Sequence, residues 1–161
     1  MTGPSGNTEQ RMQQYAADRR RIVLASLGAG YDGQVFSTNT ETAIKVFCYE
    51  KLYLRERDVY LRLLEHDVFE VCGCRIPQLV DIDDTLMIIE MEIVKPPFVL
   101  DFAGAYLDQL PDFPEDVMQD WLDAKEEQFE DDWPLVQSIM ATLSGYGVHL
   151  ADVKPGNITL R

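Results

Sequence analysis

The sequence is short of cysteine, histidine and basic residues, and it has no long apolar run. Its three cysteines, Cys48, Cys72 and Cys74, are an odd number and too few for a disulfide framework, which points to a reducing, cytoplasmic compartment. No window approaches the ~18 consecutive apolar residues of a membrane span, so no membrane partner is expected. Met1–Gln10 is polar and has no apolar stretch of the kind a secretory signal needs. With 14 Lys and Arg against 28 Asp and Glu, the formal net charge is −14, which repels nucleic acid and anionic lipid. The only basic run, Arg19-Arg20-Arg21, is too short to reverse that. Cys72-Gly73-Cys74 could be half of a metal site, but only Cys48, His66 and His149 remain to complete it, so a structural or incidental role is expected. There is no internal repeat and no low-complexity linker.

What is present suits a folded domain. The 161 residues are about one domain in length, and the 46% apolar and 26% charged content excludes a wholly disordered chain. Charge is unevenly spread. Residues 101–132 hold twelve Asp and Glu against one Lys, either a solvated surface or a docking face for a basic partner.

Residues 1–7 read as disordered, and Thr8–Arg20 has the composition of a short helix. Strands are expected at Arg21–Leu27, Gln34–Thr38, Thr42–Tyr49, Gln78–Ile82 and Leu86–Met91. A helix is expected at Lys51–Glu65, where Leu52, Val59 and Leu63 recur at helical spacing. Beyond Pro96-Pro97 the pattern turns helical, over 101–110, 115–130 and Pro134–Ser144, with a strand start at Ile158-Thr159-Leu160. The fold class is therefore α+β: five antiparallel strands with one helix after the third, then a helical part. Trp121 and Trp133, with Met118, Leu122 and Phe129, are expected to pack within it.

Four sets of residues could carry chemistry. Gly28-Ala29-Gly30-Tyr31-Asp32-Gly33-Gln34-Val35 spells G-x-G-x-x-G-x-V between two strands, where free backbone N–H groups can meet phosphate oxygens. A ligand-free Gly-rich hairpin has the same spelling. Strand alternation puts Ala43, Lys45 and Phe47 on one face, so Lys45 either reaches water or meets an anion. Glu56 falls on the apolar stripe of its helix, where a carboxylate is costly unless paired, and Lys45 is the natural partner. In Asp152-Val153-Lys154-Pro155-Gly156-Asn157 a carboxylate, an ammonium and an amide share one loop, as a hydroxyl base, a phosphoryl contact and a metal ligand would, or as a surface Pro-Gly turn would.

Taken in order, these sets resemble the protein kinase signature over residues 21–161. The resemblance implies residues 1–20 as a tail or helix, 21–92 as a kinase-like small lobe, and 93–161 as hinge, helices and catalytic-loop segment of an incomplete large lobe. It implies ATP and Mg²⁺ as cofactors. Gly28, Gly30 and Gly33 would cover the phosphates, Val35 and Ala43 would roof the adenine, and Lys45 would hold the phosphates while paired to Glu56. Ile89 would be the gatekeeper, with the backbone of Glu90 to Glu92 as the hinge. Asp152 would be the base, Lys154 the phosphate-contacting lysine of Ser/Thr-type kinases, and Asn157 a Mg²⁺ ligand. The implied partners are a nucleotide and, through the incomplete helical lobe, a protein or a second copy. Two departures stand out. The family's H-R-D reads Leu150-Ala151-Asp152, and no D-F-G occurs. The implied activity is transfer of the γ-phosphoryl group to a Ser/Thr or small-molecule hydroxyl. The alternative is a pseudokinase or partner-binding module.

Overall fold

The computed structural model describes residues 4–160. In chain order the elements are α1 (Thr8–Asp18), β1 (Val23–Ala29), β2 (Gly33–Thr38), β3 (Thr42–Phe47), α2 (Glu50–Glu65), β4 (Glu70–Val71), β5 (Cys74–Arg75), β6 (Leu79–Asp83), β7 (Ile88–Glu92), β8 (Val99–Leu100), β9 (Tyr106–Leu107), α3 (Glu115–Phe129), α4 (Trp133–Gly145), β10 (Val148–His149) and β11 (Ile158–Thr159). They divide into two compact units: the chain through Tyr60 with Gln78–Ile93, and Leu61–Pro77 with the chain from Val94 on. The chain is α+β, with the five-stranded antiparallel sheet, the helix after its third strand and the helical part that the sequence calls for.

The first unit is built on that sheet, in the order β1-β2-β3-β7-β6. All six residues of β3 are buried, because the strand is covered on both faces. Alternation sends Ile44 and Val46 one way and Ala43, Lys45 and Phe47 the other. The first face is closed by α1. Asn7 and Gln10 cap that helix reciprocally, each side chain taking the other's backbone N–H, at 2.8 and 3.0 Å. Its buried stripe includes Met12 and Tyr15, which pack with Phe36, Ile44, Val46, Leu86 and Ile88. Each such fully buried aliphatic side chain contributes about 1.5–3 kcal/mol. The Arg11 guanidinium fixes the helix further, donating to the carbonyls of Leu86 and Phe47 at 2.7 and 2.8 Å. On the other face Tyr53 of α2 meets the Phe47 ring edge-on at 5.5 Å. Of the seven residues read as disordered, the first three lie outside the described residues.

The second unit holds a four-stranded sheet, β11-β8-β5-β4, a two-stranded pair, β10-β9, and the helices α3 and α4. Trp133, Val136, Ile139 and Leu143 form the buried stripe of α4. One expectation fails here, and one element goes beyond what was expected. The helix over 101–110 does not form. Asp101 Oδ1 accepts the Ala103 N–H at 2.8 Å, and Gly104 and Asp108 have φ of 76° and 64°, so the segment turns instead. Cys72-Gly73-Cys74 is the tip of a hairpin the sequence reading missed: Cys72 and Gly73, at φ of 50° and 83°, make the turn between β4 and β5. The aromatic set is split. Phe129 and Trp133 are buried and stacked, whereas Met118, Trp121 and Leu122 line a cavity of about 210 Å³ with Leu110, Met140 and Leu150.

Candidate functional site

In the first unit the central feature is an ion pair. Lys45 Nζ donates to Glu56 Oε2 at 2.8 Å, and both residues are buried, at 8% and 3% exposure. The sheet centre supplies the lysine and one turn of α2 supplies the acid. A carboxylate so placed is tolerated because an ammonium meets it. A second acid, Asp32, reaches the same ammonium from the Gly-rich hairpin, Oδ2 to Nζ at 3.1 Å. That hairpin is folded down on β3. The Gly30 N–H meets the Gly33 carbonyl at 2.9 Å, the Cys48 N–H meets the Asp32 carbonyl at 2.9 Å, and the Tyr31 and Tyr49 rings stack at 4.9 Å. Gly33 is required: a Cβ there would overlap the Val46 carbonyl oxygen. Gly28 and Gly30 are exposed and under no such constraint.

Register sorts the remaining first-unit residues by face. Val35 and Ile89 lie directly opposite Lys45 on the two flanking strands, so Val35, Lys45 and Ile89 make one row on one face. Ala43 lies two residues along the same face. Glu90 pairs with Ile44 and so belongs to the face under α1. Its fully buried carboxylate accepts from Tyr15 Oη (2.7 Å), Arg21 Nε (2.8 Å) and Thr42 Oγ1 (2.6 Å). Burial pushes this carboxyl up, but the three donors outweigh it and hold it below the ordinary carboxylate range. Burial and the bond to Glu90 raise the Tyr15 phenol. Glu92 is exposed, and its N–H is donated to the Gln78 carbonyl at 2.9 Å.

In the second unit the Pro155-Gly156 turn brings Asp152, Lys154 and Asn157 together. Asp152 Oδ2 accepts from Asn157 Nδ2 at 3.0 Å and pairs with Lys154 Nζ at 3.2 Å. Asn157 Nδ2 also donates to the Asp152 carbonyl at 2.8 Å. An amide that donates twice through nitrogen keeps its oxygen as an acceptor or ligand. Asn157 is buried, whereas Asp152 and Lys154 are about half exposed, so carboxylate and ammonium face water from an anchored loop. β11 supplies the anchor, pairing with β8.

Two residues here escaped the sequence reading. Asp32 lies inside the Gly-rich motif, but only the folded hairpin shows its reach to Lys45. Asp101, at the end of β8, donates its N–H to the Asn157 carbonyl at 2.8 Å. Its only advance signal is an apolar Val99-Leu100 pair running into Asp-Phe. Among the described residues, no group of three or more His, Cys, Asp or Glu side chains is placed to hold a metal ion. None of the described helices is long and apolar enough to cross a membrane.

The sequence matches no protein-family model and no curated protein. Among solved structures it is similar to a chain of the streptomycin–ATP–APH(2")-IIa ternary complex, at 22% identity over 56% of this chain, with a TM-score of 0.42. This chain spans 29% of that one.

Proposed function

We propose that this chain is a protein-kinase-like nucleotide-binding protein that transfers the ATP γ-phosphoryl group to a hydroxyl acceptor. The observation that carries this reading is the buried Lys45–Glu56 pair, 2.8 Å apart on the central strand and adjoining helix, beneath a Gly-rich hairpin. A buried lysine held in place by carboxylates is oriented to meet a phosphate, which would take the place of Asp32. In this reading Gly28, Gly30 and Gly33 offer backbone over the phosphates, and the row of Val35, Lys45 and Ile89, with Ala43, receives adenine. Glu90 to Glu92 form the hinge. The Glu92 N–H already serves Gln78, so the base reads other backbone groups there.

In the second unit Asp152 takes the acceptor's hydroxyl proton, Lys154 steadies the phosphoryl oxygens, and Asn157 offers its amide oxygen to a cation. These are hard oxygen donors, which suit Mg²⁺, and a bound Mg²⁺ would offset the charge gathering on the phosphates. The acceptor is a Ser/Thr or small-molecule hydroxyl.

A second reading, nucleotide binding without turnover, is favoured by Leu150-Ala151 standing where the family's H-R-D has His-Arg before the aspartate, and by the lack, among the described residues, of three His, Cys, Asp or Glu side chains grouped to hold a metal ion. Calorimetry with ATP and Mg²⁺ is expected to show binding that Lys45→Met loses. Transfer of labelled γ-phosphate that Asp152→Asn abolishes, with binding intact, supports turnover. Binding without transfer selects the second reading, and no binding overturns both.

A further inference from the structure

The tip of the Gly-rich hairpin is attached to residues 45–49 through contacts of different kinds. Asp32 Oδ2 meets Lys45 Nζ at 3.1 Å, and the Asp32 carbonyl accepts the Cys48 N–H at 2.9 Å. The Tyr31 ring stacks on Tyr49, with centroids 4.9 Å apart and planes 28° from parallel. These contacts lie near the surface: Tyr31 is 78% exposed, Tyr49 47%, and the Asp32 side chain 35%. The strand leading into the tip adds little cover, since the last six residues of β1 are exposed. A Cβ added at Gly28 would meet nothing within 4 Å, so the tip is not wedged there against other atoms. Solvent screens an ion pair so placed, and an exposed ring pair excludes little water, so each contact holds weakly. Such a tip can lift without opening the core beneath it.

We propose that the hairpin is an autoinhibitory latch: the Tyr31–Tyr49 stack holds Asp32 on the side of Lys45 where a nucleotide phosphate would sit, so that the ligand binds only the lifted form. This rests on the nucleotide-binding reading above and adds to it a control set by residues other than those that would hold the ligand. Glu56 reaches the ammonium from α2, and Asp32 reaches it from the hairpin. A phosphate brings the same kind of anionic oxygen as Asp32. Two anions repel at one position, so the carboxylate leaves when the phosphate enters. The chain thus carries its own competitor, at an effective concentration fixed by the hairpin tether. Apparent affinity then scales with the fraction of molecules whose tip is lifted. The stack is where that fraction can be raised without altering Lys45, Asp32 or Glu56.

The test compares wild type with Tyr31→Ala and Tyr49→Leu. Amide hydrogen exchange of the ligand-free protein, followed by NMR, reads the latch with no nucleotide present. Two adjacent amides serve as probe and reference. The Cys48 N–H is tied to the hairpin through the Asp32 carbonyl, and the Phe47 N–H is tied to the sheet through the Met87 carbonyl at 3.0 Å. Both variants are expected to speed exchange at Cys48 roughly two- to tenfold, the range one aromatic pair supports, with Phe47 unchanged. Calorimetry of ATP in excess EDTA should then show affinity tightened by the same factor, because both readouts report the lifted fraction. Unchanged exchange at Cys48 overturns the latch and leaves nucleotide binding standing. Exchange that rises equally at Phe47 means that the sheet itself has loosened, and it overturns the latch as well. Faster exchange at Cys48 with unaltered affinity shows that the closed tip does not compete with phosphate, and it overturns the autoinhibition. Failure of all three proteins to bind ATP, with or without Mg²⁺, overturns the nucleotide reading and the autoinhibition with it.

Discussion

Removing both members of the Lys45–Glu56 pair should cost less than removing either one. At 2.8 Å the two charges attract by roughly 6 kcal/mol with an effective dielectric constant of ~20, an attraction largely offset by taking both out of water. Lys45→Met removes the ammonium that the buried Glu56 faces, at a cost of about 3–5 kcal/mol. Glu56→Leu is milder, about 2 kcal/mol, because Asp32 still meets Lys45 at 3.1 Å. In the double variant two apolar side chains lie near Phe47 and Tyr53, and stability should return to within about 1–2 kcal/mol of wild type. The coupling energy is then at least about 3 kcal/mol. Urea denaturation followed by far-UV circular dichroism measures all four corners of the cycle. A double variant destabilised by the sum of the two single costs would refute the reasoning, because it would mean that neither charge depends on the other.

Two further outcomes follow from the same unit. Glu90→Gln should lower stability by about 2 kcal/mol at neutral pH, since a charged acceptor of three bonds becomes a neutral one. The Glu90 carboxyl is held below its ordinary range, so its contribution is present above about pH 4.5 and fades as pH falls through the lowered value. The gap between wild type and variant in urea midpoints should therefore narrow under acid conditions, and a gap independent of pH would contradict the assignment. Asp32→Asn should tighten metal-free ATP binding roughly fivefold by calorimetry, because a carboxylate that is one-third exposed no longer competes for Lys45. An unchanged affinity would show that Asp32 and phosphate do not share that ammonium.

The parts readable from sequence are those written in local periodicity. Alternation along β3 put Lys45 on one face with Ala43 and Phe47, helical spacing put Glu56 on the apolar stripe of α2, and the cost of an unpaired buried carboxylate named Lys45 as its partner. The five strands were legible for the same reason. Two-residue strands carry no period, so the β4–β5 hairpin and the β8–β11 pairing left no trace. Without that long-range pairing nothing distinguished Asp101 from the other acids of residues 101–132. The same segment was misread as helix because its composition is helical, while the Asp101–Ala103 turn bond and the positive φ at Gly104 decide otherwise. Asp32 was visible as a letter in a glycine motif, but its partner depends on how far the hairpin folds down.

The placement of α1 has a consequence for biosynthesis. The helix leaves the ribosome before the surfaces it needs, Ile44 and Val46 on β3 and Glu90 on β7, and Tyr15 meets Glu90 across 75 positions of chain. Until β7 emerges, the apolar stripe of α1 has only part of its seat, and the nascent segment stays open to chaperones and proteases. Closure of this unit is therefore timed by its last strand, and a ribosome stalled before Ile88 should hold a chain whose opening helix is still undocked.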